Sequence, residues 1–323
     1  MKTVLVIRFS SIGDAVLVNP VLHQLKAANH RVLMLTKSAF KPLFSANPNV
    51  DELLTISVLD FDFLAQLKQK NIDVLVDLHN NTWSRKVTKY LGLSPLVLNK
   101  QNVYKALLVW TKCSVFAVRP IVDRYLETIQ SLIQNPVEVS NQMYLSPASA
   151  SLQNFNFSDY FVYVIGGQHE GKMMSQNRIL ELLKLNRYRV VLIGGPEDAE
   201  KGDFLAKHSD NQLVESLAGK LNLSDSMHLL AKAKFVISHD TGLMHVAAGF
   251  QKNIISLWGT TSPSLGFAPY KPGKHSVILE STHLLRPTSK LGKKRFFPWI
   301  NYVDHIPLSD ILEQIERLWK IKD

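Results

Sequence analysis

Short, unbroken apolar runs that end in glycine or polar turns, with helix-period segments between them, recur along this chain of 323 residues. A strand that reads as a continuous apolar run is buried on both faces, which requires a parallel sheet covered by helices. In the first half the runs are Thr3–Ile7, 31–36, 53–56, 74–78 and 96–98. Between them Val18, Val21, Leu22 and Leu25 share one helical face, 61–69 reads as a helix, and Val122, Leu126, Ile129 and Ile133 mark another. After Ser146-Pro147-Ala148-Ser149-Ala150-Ser151 the alternation restarts, with runs at 160–165, Val190–Ile193, 235–238 and 253–257. Helices are predicted around Ile179, Leu182 and Leu183, at Val246-Ala247-Ala248, and at the end of the chain, where Leu308, Ile311, Leu312, Ile315, Leu318 and Trp319 share a face. The pattern predicts two α/β domains, 1–150 and 151–323, with the C-terminal helix free to pack back on the first. In open parallel sheets ligands bind beyond the carboxyl ends of the strands, so the glycine-rich strand ends are expected to line a cleft.

Composition narrows the function classes. The single cysteine, Cys113, excludes an intrachain disulfide and a cysteine-based zinc site, and fits a reducing compartment. The N-terminal apolar run stops at Arg8, too short for a signal-peptide core, and no stretch reaches the ~20 apolar residues of a membrane span. A cytoplasmic protein is expected, at most peripheral at the cytoplasmic face of the inner membrane. The net charge of +10 favours anionic partners such as phosphorylated substrates or an acidic membrane face, against the plainer reading of a solvated basic surface. Bases and aromatics do not alternate as in a single-strand binder, so no nucleic-acid partner is expected.

Four segments carry candidate chemistry. In Arg8-Phe9-Ser10-Ser11-Ile12-Gly13-Asp14, Gly13 permits a sharp strand-to-helix turn, and Asp14 at the helix start is either a general base or only a first-turn acid. In Asp240-Thr241-Gly242-Leu243-Met244-His245, a helix start offers backbone N–H groups to a phosphate, or else Asp240 is simply its N-cap. His239 and His245 read more readily as structural. Lys172 lies in a glycine-rich loop, where it is either a cation for a leaving diphosphate or an exposed loop lysine. Glu197, after Gly194-Gly195-Pro196, is either a ribose contact or an ordinary helix-start acid. Asp77 and His79, with Asn80 and Asn81, end a strand where a polar acceptor could bind. The dinucleotide glycine fingerprint and the Walker A lysine motif are both absent, which counts against a nucleotide-cofactor oxidoreductase. A non-catalytic sugar-phosphate binding protein stays open on these residues alone.

The Arg8–Asp14 motif followed by Asn19-Pro20 resembles the opening of glycosyltransferase family 9, the bacterial heptosyltransferases. Val76-Asp77-Leu78-His79, the run from Asp240 to Ala248, and Gly259-Thr260-Thr261-Ser262-Pro263 are similar to later family segments. The resemblance implies a GT-B fold: two Rossmann-like parallel-sheet domains facing a central cleft. It implies inverting transfer of heptose from ADP-heptose to an inner-core lipopolysaccharide acceptor of the Kdo–lipid A type, with no cofactor or metal required. An anionic inner-membrane surface would then be a partner. Asp14 would be the base, with Ser10, Ser11, Gly13, Asp77 and His79 on the acceptor side. Lys172 with Thr241, Gly242 and Leu243 would hold the diphosphate, Glu197 the ribose and Asp240 the heptose, with His245 in the same donor motif. The segment 264–270 and the basic residues Lys290, Lys293, Lys294 and Arg295 match no part of the family pattern, which leaves as the alternative a family 9-like transferase with a different nucleotide sugar or acceptor.

Overall fold

The computed structural model describes residues 1–149, 159–293, 297 and 299–321. Ala150 and Ser151 of the expected linker, and Lys294 and Arg295 of the basic cluster, lie outside the described residues. By internal packing the chain divides into a first unit, Met1–Lys100 with Pro120–Ser146, and a second, Gln101–Arg119 with Pro147–Asp323. Residues 101–119 therefore pack with the second unit, although the periodic pattern alone assigns them to the first.

The first unit contains β1 (Thr3–Ile7), β2 (Arg31–Lys37), β3 (Glu52–Ile56), β4 (Val74–Asp77) and β5 (Leu96–Val97). All pair in parallel, in the order β3-β2-β1-β4-β5. Helices α1 (Ile12–Val16), α2 (Asn19–Ala27), α3 (Phe61–Lys68), α4 (Thr82–Leu91) and α6 (Ile121–Thr128) belong to it, while α5 (Asn102–Thr111) belongs to the second unit. Local chemistry sets the helix ends. Asp60 accepts from Phe63 N to start α3, Asn81 accepts from Ser84 N to start α4, and Gly92 at φ +69° closes α4. The helix marked by Val122 and Leu126 stops at Thr128, and Ile133 is extended.

The second unit contains β6 (Phe161–Val164), β7 (Val190–Ile193), β8 (Val214–Ser216), β9 (Phe235–His239), β10 (Asn253–Trp258) and β11 (Val277–Glu280). They are again all parallel, in the order β11-β10-β9-β6-β7-β8. Its other helices are α7 (Gln176–Leu185), α8 (Ala199–His208), α9 (Leu223–Lys232), α10 (Gly242–Gly249) and α11 (Leu308–Trp319). Phe161 and Phe235 stack at 4.8 Å on adjacent central strands. The C-terminal helix lies in this unit's core: Ile311, Ile315 and Leu318 are buried there, and Trp319 stacks on Tyr188 at 4.6 Å. Edge strand β8, Val214-Glu215-Ser216, carries no continuous apolar signal, because an edge is only half covered; on the other edge, β11, Ile278 and Glu280 point outward.

Each sheet reverses its winding direction once. In the first unit the chain runs outward from β1 through β2 to β3, then returns to β4 on the other side of β1. In the second it runs from β6 to β7 and β8, then returns to β9 beside β6. At such a point the loops leaving adjacent strands diverge and open a crevice at the carboxyl edge. Topology thus brings the loop after Ile7 to the loop after Asp77, and the loop after Val164 to the loop after His239.

Candidate functional site

In the first unit, the segment after β1 is organised around Arg8. Its backbone continues the ladder through Arg8 N to Leu35 O at 3.0 Å, and Thr36 Oγ1 donates to Arg8 O at 2.7 Å. The buried guanidinium donates through Nη1 to Leu78 O across the switch point, and Nη2 pairs with Asp14 Oδ1 at 2.7 Å. Burial by itself lowers the Arg8 pKa, but the Asp14 carboxylate, with Tyr125 and Asp77, more than offsets that and holds it above the ordinary arginine value. Ser11 is the N-cap of α1, and Asp14 stands three residues on, in a capping box. Asp14 Oδ2 accepts from Ser11 Oγ at 2.9 Å and from Ser11 N at 3.2 Å. The carboxylate is both the helix-start acid and a group fixed in direction.

His79 faces the same segment. Its Nδ1 accepts from Phe9 N at 3.3 Å, and its ring packs against Phe9 at 5.7 Å. Burial first, then the positive charges of Arg8 and Lys100, push its pKa down to about 4. The imidazole is therefore neutral at pH 7, with its proton on Nε2, a hydrogen-bond donor without charge. Asp77 shapes the turn instead of facing outward. It is buried, and its Oδ1 accepts from His79 N at 2.9 Å and Asn80 N at 2.7 Å.

In the second unit, Lys172 Nζ and Asp240 Oδ2 meet at 2.7 Å at the matching switch point. Asp240 is not the N-cap of α10. Thr241 is, and its side chain makes no capping bond, being engaged with Ser238 Oγ at 3.1 Å. The backbone N–H groups of Gly242 and Leu243 in that first turn carry the positive end of the helix dipole. Asp240 Oδ2 also accepts from Thr261 Oγ1 at 2.9 Å, and Thr260 Oγ1 donates to Gly171 O at 2.7 Å. The loop after β10 is thus tied to Asp240 and to the residue before Lys172. Gly292, at φ +75°, lies so close that a Cβ there would stand 2.5 Å from Lys172 Cγ. The lysine stem rests on a surface only glycine can supply.

Arg286 holds the whole group together, and sequence reasoning missed it. Its guanidinium donates to Gly259 O, to Thr261 O at 2.7 Å and to Ser281 O at 2.9 Å, and pairs with Glu280 at 3.0 Å. Desolvation lowers its pKa, and Glu280 restores part of the shift. No periodicity marks such a residue, because its partners are backbone carbonyls distant in sequence.

The remaining candidates are spread around this group. Glu197 is exposed at the end of the neighbouring β7, its carboxylate folded back over Gly195. His245 is buried in the second turn of α10. His239 is fully buried, and its Nε2 accepts from Met174 N at 3.1 Å; desolvation, then the charge of Lys201, lowers its pKa to about 3. It pins the chain just after Lys172 and is structural. Ser10 and Gly13 lie on either side of Ser11 in the loop and first turn described above.

Comparison with known proteins bears on the family and the fold. The profile of Glycosyltransferase family 9 (heptosyltransferase) matches residues 61–293. Lipooligosaccharide heptosyltransferase 2 of Haemophilus influenzae is 34% identical over 104 residues, a match spanning 31% of this chain and 30% of that protein's own length. Lipopolysaccharide heptosyltransferase 3 of Escherichia coli is 22% identical over 95% of both chains. Among solved structures, E. coli ADP-heptose lps heptosyltransferase II superposes with a TM-score of 0.76 at 20% identity, over 98% of each chain. That last likeness speaks to the fold.

Proposed function

This chain belongs to glycosyltransferase family 9, and from that premise we propose that it is an inverting transferase moving heptose from ADP-heptose to an inner-core lipopolysaccharide acceptor of the Kdo–lipid A type. The observation that carries the reading is the Lys172–Asp240 pair at a helix start whose N-cap side chain makes no capping bond. A cation and exposed N–H groups at a switch point suit a diphosphate, and a carboxylate beside them suits sugar hydroxyls.

The reaction is a single displacement. The acceptor hydroxyl oxygen bonds to the anomeric carbon while its proton passes to the Asp14 carboxylate. The bond from the anomeric carbon to the β-phosphate oxygen breaks, and ADP leaves with the electron pair. Because attack comes from the face opposite the leaving group, the configuration inverts. Arg8 and Ser11 hold Asp14 in one orientation, so no reorganisation is needed when the proton moves. Neutral His79 donates from Nε2 to an acceptor oxygen without competing for that proton. Charge growing on the diphosphate is met by Lys172 and by the N–H groups of Gly242 and Leu243; one such donor is typically worth ~3–4 kcal/mol of barrier. Asp240 orients the heptose and Glu197 the ribose. The acceptor, built on a lipid, presents phosphate in an anionic leaflet, where a chain of charge +10 is drawn to the surface.

Mass spectrometry of products after incubation with ADP-heptose and Kdo–lipid A acceptors tests the reading. A mass gain of one heptose supports it. Transfer from a different nucleotide sugar, or donor binding without transfer, refutes the assigned substrates or the catalysis respectively. A thermal-shift panel of ADP, UDP, GDP and NAD should single out ADP, because a ligand that binds the native state raises its stability.

A further inference from the structure

The segment Gln101–Arg119 packs with the second unit while leaving large apolar side chains outward. Val103 and Trp110, seven residues apart and so on one face of α5, are 69% and 81% exposed, and Val115 just beyond is 73% exposed. Tyr104, also exposed, packs edge-on against Phe116 at 6.5 Å. A second segment lies along the helix. Lys112 Nζ donates to Pro287 O at 2.5 Å near the C-terminal end of α5, and Lys290 Nζ donates to Asn102 O at 3.3 Å at its start. That loop adds Leu284, 93% exposed, with Leu285 and Leu291.

The charge of these two segments has one sign. Neither 101–119 nor 281–293 contains Asp or Glu, while they contribute Lys105, Lys112, Arg119, Arg286, Lys290 and Lys293. Arg286 turns inward to Glu280. Lys112 and Lys290 are bonded to carbonyls, which leave their charge uncompensated. A protein face bathed only in water does not gather aromatic and aliphatic tips in this way. Trp and Tyr beside lysines, around exposed leucine and valine, is the composition of a surface at the headgroup level of a bilayer. Among the described residues no helix is long and apolar enough to cross a membrane.

We propose that α5, residues 113–116 and the loop 284–291 form a docking surface for an anionic lipid bilayer. Trp110, Val115 and Leu284 enter the boundary between headgroups and acyl chains, and Lys112, Lys290 and Lys293 lie against lipid phosphates. The inner side of the same loop reaches the candidate site: Thr288 N donates to Thr260 O at 2.9 Å, and Gly292 backs Lys172. Lipid contact and the diphosphate-side loop are thus parts of one segment. The inference gives a place to the membrane contact proposed above, but it does not depend on the transfer reaction.

Cys113, exposed and the single cysteine of the chain, sits within the surface and accepts an environment-sensitive fluorophore without mutation. The full chain is titrated with vesicles of phosphatidylcholine alone, or with about one third phosphatidylglycerol. The expected result is a blue shift and co-sedimentation on the anionic vesicles, weakening as salt rises. Lys112→Gln and Lys290→Gln should each lower partition about fivefold, and Trp110→Ser with Val115→Ser should lower it further. Phe61→Ser, which removes an equally exposed side chain from the first unit, should leave it unchanged. No shift at Cys113 on anionic vesicles overturns the proposal, as does partition that ignores these variants. A concentration-dependent dimer in sedimentation velocity that Trp110→Ser dissolves also overturns it, in favour of a contact between copies. All these readouts are independent of glycosyl transfer, so failure of the enzymatic reading leaves them standing.

Discussion

Replacing Arg286 by methionine tests how the Lys172–Asp240 group is held. The guanidinium serves the carbonyls of Gly259, Thr261 and Ser281, and the residues of the loop it clamps, Thr260 and Thr261, are buried. Methionine fills much of the stem's volume but donates to none of them. Each buried carbonyl left without a donor costs ~1–3 kcal/mol, and water entering the gap can satisfy some of them. A global loss of ~2–4 kcal/mol in urea unfolding follows. The functional consequence is separate. Once Thr261 O is released, Thr261 Oγ1 no longer holds Asp240 Oδ2 at 2.9 Å, and the partner of Lys172 loses its fixed position. A loss of ~1.4–2.7 kcal/mol in ADP affinity, roughly ten- to a hundredfold, is expected by titration calorimetry well below the unfolding transition. Arg286→Lys restores charge but not the fork, so it should recover part of the stability and little of the affinity. A folded Arg286→Met chain that binds ADP within about twofold of wild type would refute the clamp argument.

Other consequences are equally direct. Asp14→Asn keeps the shape of the side chain but not its basicity, so turnover should fall about 10²- to 10⁴-fold in a transfer assay with ADP binding unchanged; near wild-type turnover removes Asp14 as the base. Gly292→Ala forces a side chain into a left-handed conformation against the Lys172 stem, and should cost ~1–2 kcal/mol of stability and weaken ADP binding severalfold in calorimetry. His239 is neutral in the fold down to about pH 3, whereas in the unfolded chain it takes up a proton near pH 6.5. The unfolded state then binds the extra proton, so stability falls as pH drops below 6.5, by up to ~1.4 kcal/mol per pH unit. Urea titrations of wild type and His239→Gln between those pH values should differ in slope, and equal slopes would remove the buried neutral histidine as the cause. His79, neutral above about pH 4, should contribute no limb to the rate profile above that pH; a limb near 6.5 that disappears in His79→Gln contradicts the lowered pKa.

The apolar runs at Thr3–Ile7, Val190–Ile193 and 235–238 fall within or coincide with β1, β7 and β9, because a strand covered on both faces is apolar along most of its length. The same logic does not extend to β8, Val214-Glu215-Ser216, where an uncovered edge has no such requirement. The doubly wound order, and with it the pairing of loops at each switch point, is set by the tertiary structure, whereas parallel pairing follows from alternation. The glycine-rich strand ends were therefore readable as one edge of each sheet. Chemistry at that edge was readable only as residue types. Whether Asp240 caps α10 or meets Lys172 depended on Thr241 taking the cap position, which is a matter of backbone dihedrals at one residue.

Residue type and period by themselves determined that this chain makes two parallel sheets, and that Asp14, Lys172 and the Asp240 segment lie at their carboxyl edges. Tertiary structure alone decided which of these groups hold one another: Arg8 with Asp14, Lys172 with Asp240, and Arg286 over the loop between Gly259 and Thr261. It also decided that 101–119 leaves the unit in which its neighbours lie. The physical reason is range. Burial on a strand or helix face repeats every two or 3.6 residues and is written locally, whereas a hydrogen bond from Arg286 to Thr261, or from Thr261 to Asp240, exists only once distant backbone segments have been brought within 3 Å by the packed sheet.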